Sequence, residues 1–357
     1  MTEQELAGMI WNIKKITIKL NCFFLRSRKQ SLTSLFIPLT VVVLSLAGVT
    51  SCAKNKNYIS EEGLIWNTSF HVTYKGPESL RDSVLKILEE VGSSLSVFDK
   101  NSLVSKINDT VALPVDNHFM RVYQISRRVC EQSNGMFDPT LSPLITAWGF
   151  GPGHKASADT ARVDSILQFV GLRKTNLSSD GTLVKEDPRI QFNFSAVAKG
   201  YACDAVGDML LHKGVEDWLV EIGGEVATHG KGPRGDWTIS VDRPVFSPDK
   251  VVHESQCIIK LSGNAVATSG NYRNLMQTEG GYYGHTISPA SGRPVQTDVI
   301  SATVVAPTCA EADAYATACM AMGSRGAKRI ADACPVSMML VLADSTLWIS
   351  PGFPMAR

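Results

Sequence analysis

Ile300-Ser-Ala-Thr-Val-Val305 and then Thr308-Cys-Ala-Glu-Ala-Asp-Ala-Tyr-Ala-Thr-Ala-Cys-Met-Ala-Met322 are the stretches on which the fold class turns. The first is short and rich in β-branched residues, as a strand is. The second opens with Thr308 and Glu311 in capping-box spacing, so that hydroxyl and carboxylate each satisfy a free backbone donor of a helix. Gly323 follows as a natural C-terminal stop. Downstream, Met338–Leu342 and Leu347–Ile349 read as strands. Upstream, so do Trp218–Ile222, Trp237–Val241, Cys257–Leu261 and Tyr282–Ile287. The first half reads differently. Glu78–Leu95, Asp116–Cys130, Thr160–Val170 and Ala196–His212 carry apolar residues at helical spacing, and Asn134-Gly135 and Lys213-Gly214 punctuate two of them. Helices first, then strands with a helix among them, predict an α+β fold with mixed or antiparallel sheets and packed helices rather than a regular βαβ repeat.

The chain has 357 residues, 44% hydrophobic and 19% charged, which are the proportions of a globular protein. Its net charge of +1 hides an asymmetry. Residues 1–51 hold six basic groups against Glu3 and Glu5, so the rest of the chain carries −3. A slightly acidic body without a basic stripe excludes nucleic acid as the expected partner. Arg26, Arg28 and Lys29 precede an apolar run of 13 residues, Leu35–Ala47. That is shorter than the roughly 20 residues of a membrane span and suits the core of an export signal. Gly48-Val49-Thr50-Ser51-Cys52 then resembles a bacterial lipoprotein processing site, with Cys52 as the lipidated residue. The expected organisation is a signal at 1–51, a polar tether at 52–63 and one domain at 64–357, exported and anchored to a membrane by lipid on the periplasmic side. No Cys or His spacing suggests zinc, and most of the six cysteines of the body are expected as buried thiols.

Five segments carry candidate chemistry. Asp313 and Thr317 lie four apart and share a helical face opened by flanking alanines. A carboxylate and a hydroxyl there suit a hard cation such as Mg²⁺, or else a helix-terminal Asp and a Thr bonded to its own preceding turn. Phe192-Asn193-Phe194-Ser195-Ala196-Val197-Ala198-Lys199-Gly200 passes from strand to helix, either a place where free N–H groups and a lysine bind phosphate or a tight turn with a solvated lysine. Gly223-Gly224-Glu225 is a hairpin turn or a close approach to a ligand. His285, before a Pro/Gly-rich turn, is a proton carrier or a turn cap. Gly135-Met136-Phe137-Asp138-Pro139-Thr140 with Trp148-Gly149-Phe150 is a loop that closes a core or binds something flat.

Together these segments resemble the FAD:protein FMN transferase (ApbE) family. The resemblance rests on Phe137-Asp138-Pro139-Thr140, Trp148-Gly149-Phe150, Ala196–Tyr201, Gly223-Gly224-Glu225, Ala267–Arg273, His285–Pro289 with Gly292-Arg293-Pro294, and Asp313–Thr317, in that order, over about residues 64–350. It implies the fold of that family and an Mg²⁺-dependent transfer of FMN from FAD to a Thr or Ser hydroxyl of a target protein, with release of AMP. It implies Asp313, Thr317 and the Ala196 carbonyl as metal ligands. Trp66, Phe98, Met136, Phe137, Asp138, Asn193, Lys199 and Ile287 are the implied FAD contacts, and His285 assists the proton transfer beside Asp313. The implied acceptors are exported or membrane-embedded redox subunits. Two other readings stand beside transfer: hydrolysis of FAD to FMN and AMP, and binding of FAD without chemistry. Three positions depart from the family pattern. Asn193 stands where an Asp is common, Ser195-Ala196 where Gly-Gly is, and Asn67 where a Gly is.

Overall fold

The computed structural model describes residues 58–150, 160–245, 253–271, 275–278 and 281–356. The signal, Cys52 and the tether up to Asn57 lie outside these residues, as do Tyr272 and Arg273. In chain order the elements are β1 (Tyr58–Ile65), β2 (Thr68–Lys75), α1 (Arg81–Leu95), α2 (Leu103–Asn108), β3 (Ala112–Pro114), α3 (Asn117–Gln132), α4 (Ser142–Ala147) and α5 (Thr160–Leu167). There follow β4 (Thr175–Leu177), β5 (Thr182–Lys185), α6 (Ala198–His212), β6 (Trp218–Ile222), β7 (Glu225–His229), β8 (Trp237–Asp242), β9 (Ser255–Leu261) and β10 (Ala265–Gly270). The last are β11 (Leu275–Thr278), β12 (Gly281–Gly284), β13 (Val299–Ala306), α7 (Cys309–Ala333), β14 (Ser337–Leu342) and β15 (Leu347–Ile349).

Eight strands form one sheet in the order β1-β2-β6-β7-β10-β13-β14-β15, antiparallel at every junction. The fold is α+β, as the order of elements predicts. Both faces of the sheet's middle are buried, and alternate residues serve different cores. Ala227, Ala265, Val304, Met338 and Leu340 face the main core with the helices, while Val226, Val266, Val305 and Met339 join Val241, Ile259, Leu261 and Phe353 on the other side. The β8–β9 hairpin supplies that second cover.

Several elements are clear from local signals. Asp116 caps α3 by accepting from Phe119 N at 2.8 Å. The β6 and β15 spans coincide with the expected strands. Three differences have identifiable causes. Residues 58–63, expected in the tether, belong to β1, whose glutamates and glycine suit a sheet edge and hide its strand character. The strand expected at Tyr282–Ile287 ends at Gly284, where the chain turns into the His285 loop. Gly323 (φ 70°) interrupts α7 as expected, yet the helix resumes to Ala333. The restart comes from Asp298, whose carboxylate accepts from Ser324 N at 2.8 Å and from the Ser324 hydroxyl at 2.5 Å, as an N-cap supplied from a distant loop.

The approach to α6 is held from outside. Asn108 exchanges two hydrogen bonds with the Phe192 backbone, at 2.7 and 3.0 Å. The buried Lys185 ammonium donates to the carbonyls of Ile107, Asn108, Pro188 and Ile190. Phe192 and Phe194 then stack on one another and meet Phe119 edge-on. This fastening fixes where the chain leaves the apolar layer and turns into α6.

Candidate active site

The turn between β6 and β7 is two residues long, and Ile222 pairs with Glu225. Both central residues have positive φ, 62° for Gly223 and 101° for Gly224, which is why glycine occupies them. The hairpin reading of this segment therefore holds, and it has a chemical consequence. Glu225 becomes the first residue of β7 and is 3% exposed, beneath α6. Its carboxylate meets Lys199 Nζ at 2.5 Å.

Lys199 stands between two acids. Burial alone would lower its pKa, but the carboxylates of Glu225 and Asp313 more than offset this and raise it, so the ammonium stays charged. Burial pushes the Glu225 carboxyl up, Lys199 pulls it down and Asp313 adds to the rise, leaving it at about 7. Asp313 is likewise raised by burial and opposed by Lys199 and the Gly200 N–H. When all three are ionised the cluster carries one net negative charge out of water.

Asp313 and Thr317 follow the start of α7 by one and two turns, on one face. Asp313 is 4% exposed and its Oδ2 accepts from Gly200 N at 3.2 Å. The Thr317 hydroxyl lies 3.2 Å from that of Ser269, at the end of β10. Because Gly200 N is turned toward Asp313, no helical bond closes from it onto the Ala196 carbonyl, although the next one, Tyr201 N onto Val197 O, is made. A carbonyl outside the ladder, a buried carboxylate and a hydroxyl are all hard oxygen donors, the kind that a hard cation takes. The residues present therefore fit Mg²⁺. Among the described residues there is no cluster of three His, Cys, Asp or Glu side chains arranged for a metal, so a mixed set of this kind is what the fold offers.

The His285 loop is fastened to the same strand end. The Thr286 hydroxyl donates to Asn271 Oδ1 at 2.8 Å, two residues beyond Ser269. His285 is half-buried, and its ring meets Phe150 edge-on with centroids 6.2 Å apart. The Ile287 side chain is buried in a satellite cluster with Leu144, Val163 and Phe169, which leaves its backbone as the part available to a ligand.

The other expected contacts fall at different places. Asn193 Oδ1 accepts from Ser195 N at 2.9 Å and closes the turn before α6, a task that an amide performs without charge. Asp138 binds Thr140 through Oδ1 and Leu172 N through Oδ2, so its carboxylate is committed to holding two loops together. Burial pushes it up and these bonds pull it down. Met136 and Asp138 line a cleft of about 230 Å³ with Gly135, Leu167, Gly171 and Pro289, whereas the Phe137 ring is in the main core. Trp66 and Asn67 form the β1–β2 turn with φ of 50° and 61°. That explains Asn67, since Asn is the side chain that best tolerates a left-handed position otherwise given to Gly. The Trp66 indole rests on Gly92 of α1, and Phe98 is 68% exposed beyond the end of that helix.

Sequence reasoning missed Glu225 as the partner of Lys199, Ser269 as the partner of Thr317, and Asp204. The first two sit inside quoted motifs, but nothing local says what they touch. Asp204 carried one usable signal, its position four residues after Gly200 on the same helical face.

Known proteins similar to this chain give its family and fold. The ApbE family model matches residues 66–340. The FAD:protein FMN transferase of Vibrio cholerae is 30% identical over 316 residues, 85% of this chain and 92% of that protein. The solved structure of the flavin transferase ApbE from Vibrio cholerae superposes with a TM-score of 0.74 at 28% identity, over 83% of this chain and 98% of that one. The apo form of the Pseudomonas stutzeri flavinyl transferase ApbE gives 0.75 at 28% identity, over 82% and 95%.

Proposed function

This chain belongs to the ApbE family, and we propose that it transfers FMN from FAD to a Thr or Ser hydroxyl of an acceptor protein in an Mg²⁺-dependent reaction. That it is a flavin-transferring enzyme follows from its relatives. The metal and the acceptor hydroxyl are our reading. The observation that carries it is the crossing of α6 and α7, where the Gly200 N–H bonds Asp313, Thr317 follows one turn on, and Lys199 pairs with Glu225.

In this reading the acceptor oxygen attacks the phosphorus on the FMN side of the diphosphate. A new P–O bond forms, the bond to the bridging oxygen breaks, and that oxygen leaves with AMP. Ala196, Asp313 and Thr317 would hold Mg²⁺, which when bound neutralises charge on the diphosphate. Lys199, kept charged by Glu225, presents a second positive group to the same oxygens. His285 takes the proton of the attacking hydroxyl, and the loop that carries it is held by Asn271. The buried surroundings of Asp313 and Glu225 keep competing water low.

The test is intact-mass analysis of the full chain in detergent with FAD, Mg²⁺ and a candidate redox subunit. The acceptor should gain the mass of an FMN phosphoester, the gain should vanish with EDTA, and Ala at the acceptor hydroxyl should prevent it. Free FMN and AMP with an unmodified acceptor would favour hydrolysis; FAD left intact would favour binding alone.

We propose further that Cys52 carries lipid and tethers the enzyme to a membrane facing the periplasm, a reading supported by the signal-like residues before it. Cys52→Ala should move the protein from the membrane fraction to the soluble fraction. Unchanged membrane association would remove the anchor from that cysteine.

A further inference from the structure

The start of α7 is an accounting problem. A helix leaves its first four N–H groups without internal partners. Here Ala312 N closes the first helical bond onto Thr308 O at 3.1 Å, and Glu311 N before it reaches the Thr308 hydroxyl at 3.3 Å, so the helix's own cap serves one of them. The N–H groups of Cys309 and Ala310 are served from another helix. Asp204 of α6 accepts from Cys309 N through Oδ1 and from Ala310 N through Oδ2, each at 2.8 Å. Burial raises this carboxyl to about 7 against the pull of those two bonds, so it is held there at a cost.

Asp204 is the last of three contacts that repeat every four residues along one side of α6 and the turn before it. Ala196 offers its carbonyl, onto which no backbone N–H of the described residues closes. Gly200 donates its N–H to Asp313, and its Cα packs on the Cys309 carbonyl so closely that a Cβ would lie 2.3 Å from that oxygen. Asp204 grips the first turn of α7 by both oxygens. Gly200 bonds the Asp313 side chain and packs on the α7 backbone, Asp204 bonds that backbone directly, and Ala196 is itself a donor of the proposed metal set. The distance between donors on different helices therefore depends on the grip at Asp204.

We propose that Asp204 is a positioning residue that sets α7 on α6, and thereby brings Asp313 and Thr317 to the Ala196 carbonyl. The inference rests on the metal site proposed above. Thr308 supplies the comparison, because it caps the same helix from within and its side-chain hydrogen bonds among the described residues go to Glu311 of that helix. A loss of capping in general would follow from either substitution, whereas a loss of register between the helices would follow from Asp204 alone.

The experiment uses the full chain with Mn²⁺ as a paramagnetic probe, counting free Mn²⁺ by electron paramagnetic resonance with a fixed concentration of FAD and against FAD alone. Melting temperatures are recorded on the same samples. Asp204→Asn keeps the shape and loses one acceptor. It should weaken Mn²⁺ binding at least tenfold, whereas Thr308→Ala should lower the melting temperature and leave binding within twofold of the unsubstituted chain. If Asp204→Asn does not fold, Asp204→Glu keeps the charge, displaces it by one methylene and is judged by the same tenfold criterion. Binding within twofold for the Asp204 variant, or equal weakening by Thr308→Ala, would overturn the proposal. Absence of saturable Mn²⁺ in the unsubstituted chain would instead remove the metal site, and this inference with it.

Discussion

Asp313→Ala should lower the rate of FMN transfer by about 10³-fold while the chain still folds, because the loss falls on charge stabilisation during the reaction. The carboxylate is the one acidic member of the proposed ligand set, and Thr317 and the Ala196 carbonyl are neutral. Its removal should also change stability in an informative direction. Burial raises the Asp313 carboxyl above its ordinary value, so its ionisation in the folded chain works against folding as the pH rises. Substitution removes that penalty and the repulsion between Asp313 and Glu225. Without metal, the melting temperature of the variant should therefore equal or exceed that of the unsubstituted chain at pH 7. The increment that Mg²⁺ adds should disappear. Thermal melts with and without Mg²⁺, beside the mass assay, read both. Transfer within tenfold of the unsubstituted rate, or a retained Mg²⁺ increment, would place the metal elsewhere.

The second large effect is expected at Gly200. An added Cβ would lie 2.3 Å from the Cys309 carbonyl oxygen, 2.6 Å from its carbon and 2.9 Å from Ala310 N. All three are backbone atoms, which cannot rotate away as a side chain can. In Gly200→Ala the two helices must separate, at a cost of about 3 kcal/mol, the upper end for overpacking a close-packed interior. The same separation draws Asp313 away from Gly200 N and from Ala196. A displacement near 1 Å at a reacting centre costs about 10²-fold in rate. Denaturant midpoints and transfer rates measure the two losses. If Gly200→Ala keeps both stability and activity, the crossing of α6 and α7 is not the constraint described here.

These two positions also show how far the sequence could be read. Asp313 was visible as a candidate because its relation to Thr317 is helical periodicity, and the helix announced itself through Thr308 and Glu311. Gly200 could be quoted within a motif, but the Cys309 carbonyl that forbids a side chain there lies 109 residues further on. Lys199 was legible as a cation near a helix start. That it is locked to Glu225 depends on a hairpin turn placing one strand beneath that helix. The strand β10 was overlooked because Ala265–Gly270 has small residues and weak strand preference. Its pairing with β7 and β13 is what places Ser269 beside Thr317.

By itself, then, the sequence determined what is decided within a few residues. It set the caps of α3 and α7, the span of β6, the i, i+4 relation of Asp313 and Thr317, and the need for glycine in the β6–β7 turn. Local hydrogen bonds and backbone sterics settle these whatever the rest of the chain does. The tertiary structure alone decided which groups face one another across elements: Glu225 with Lys199, Ser269 with Thr317, Asp298 with the restart of α7 after Gly323, and Asp204 with the first turn of that helix. Those pairings depend on the order in which strands join a sheet and on how closely two helices pack. Burial then sets the electrostatics, since removal from water raises the Glu225 and Asp313 carboxyls while Lys199 opposes that rise at both.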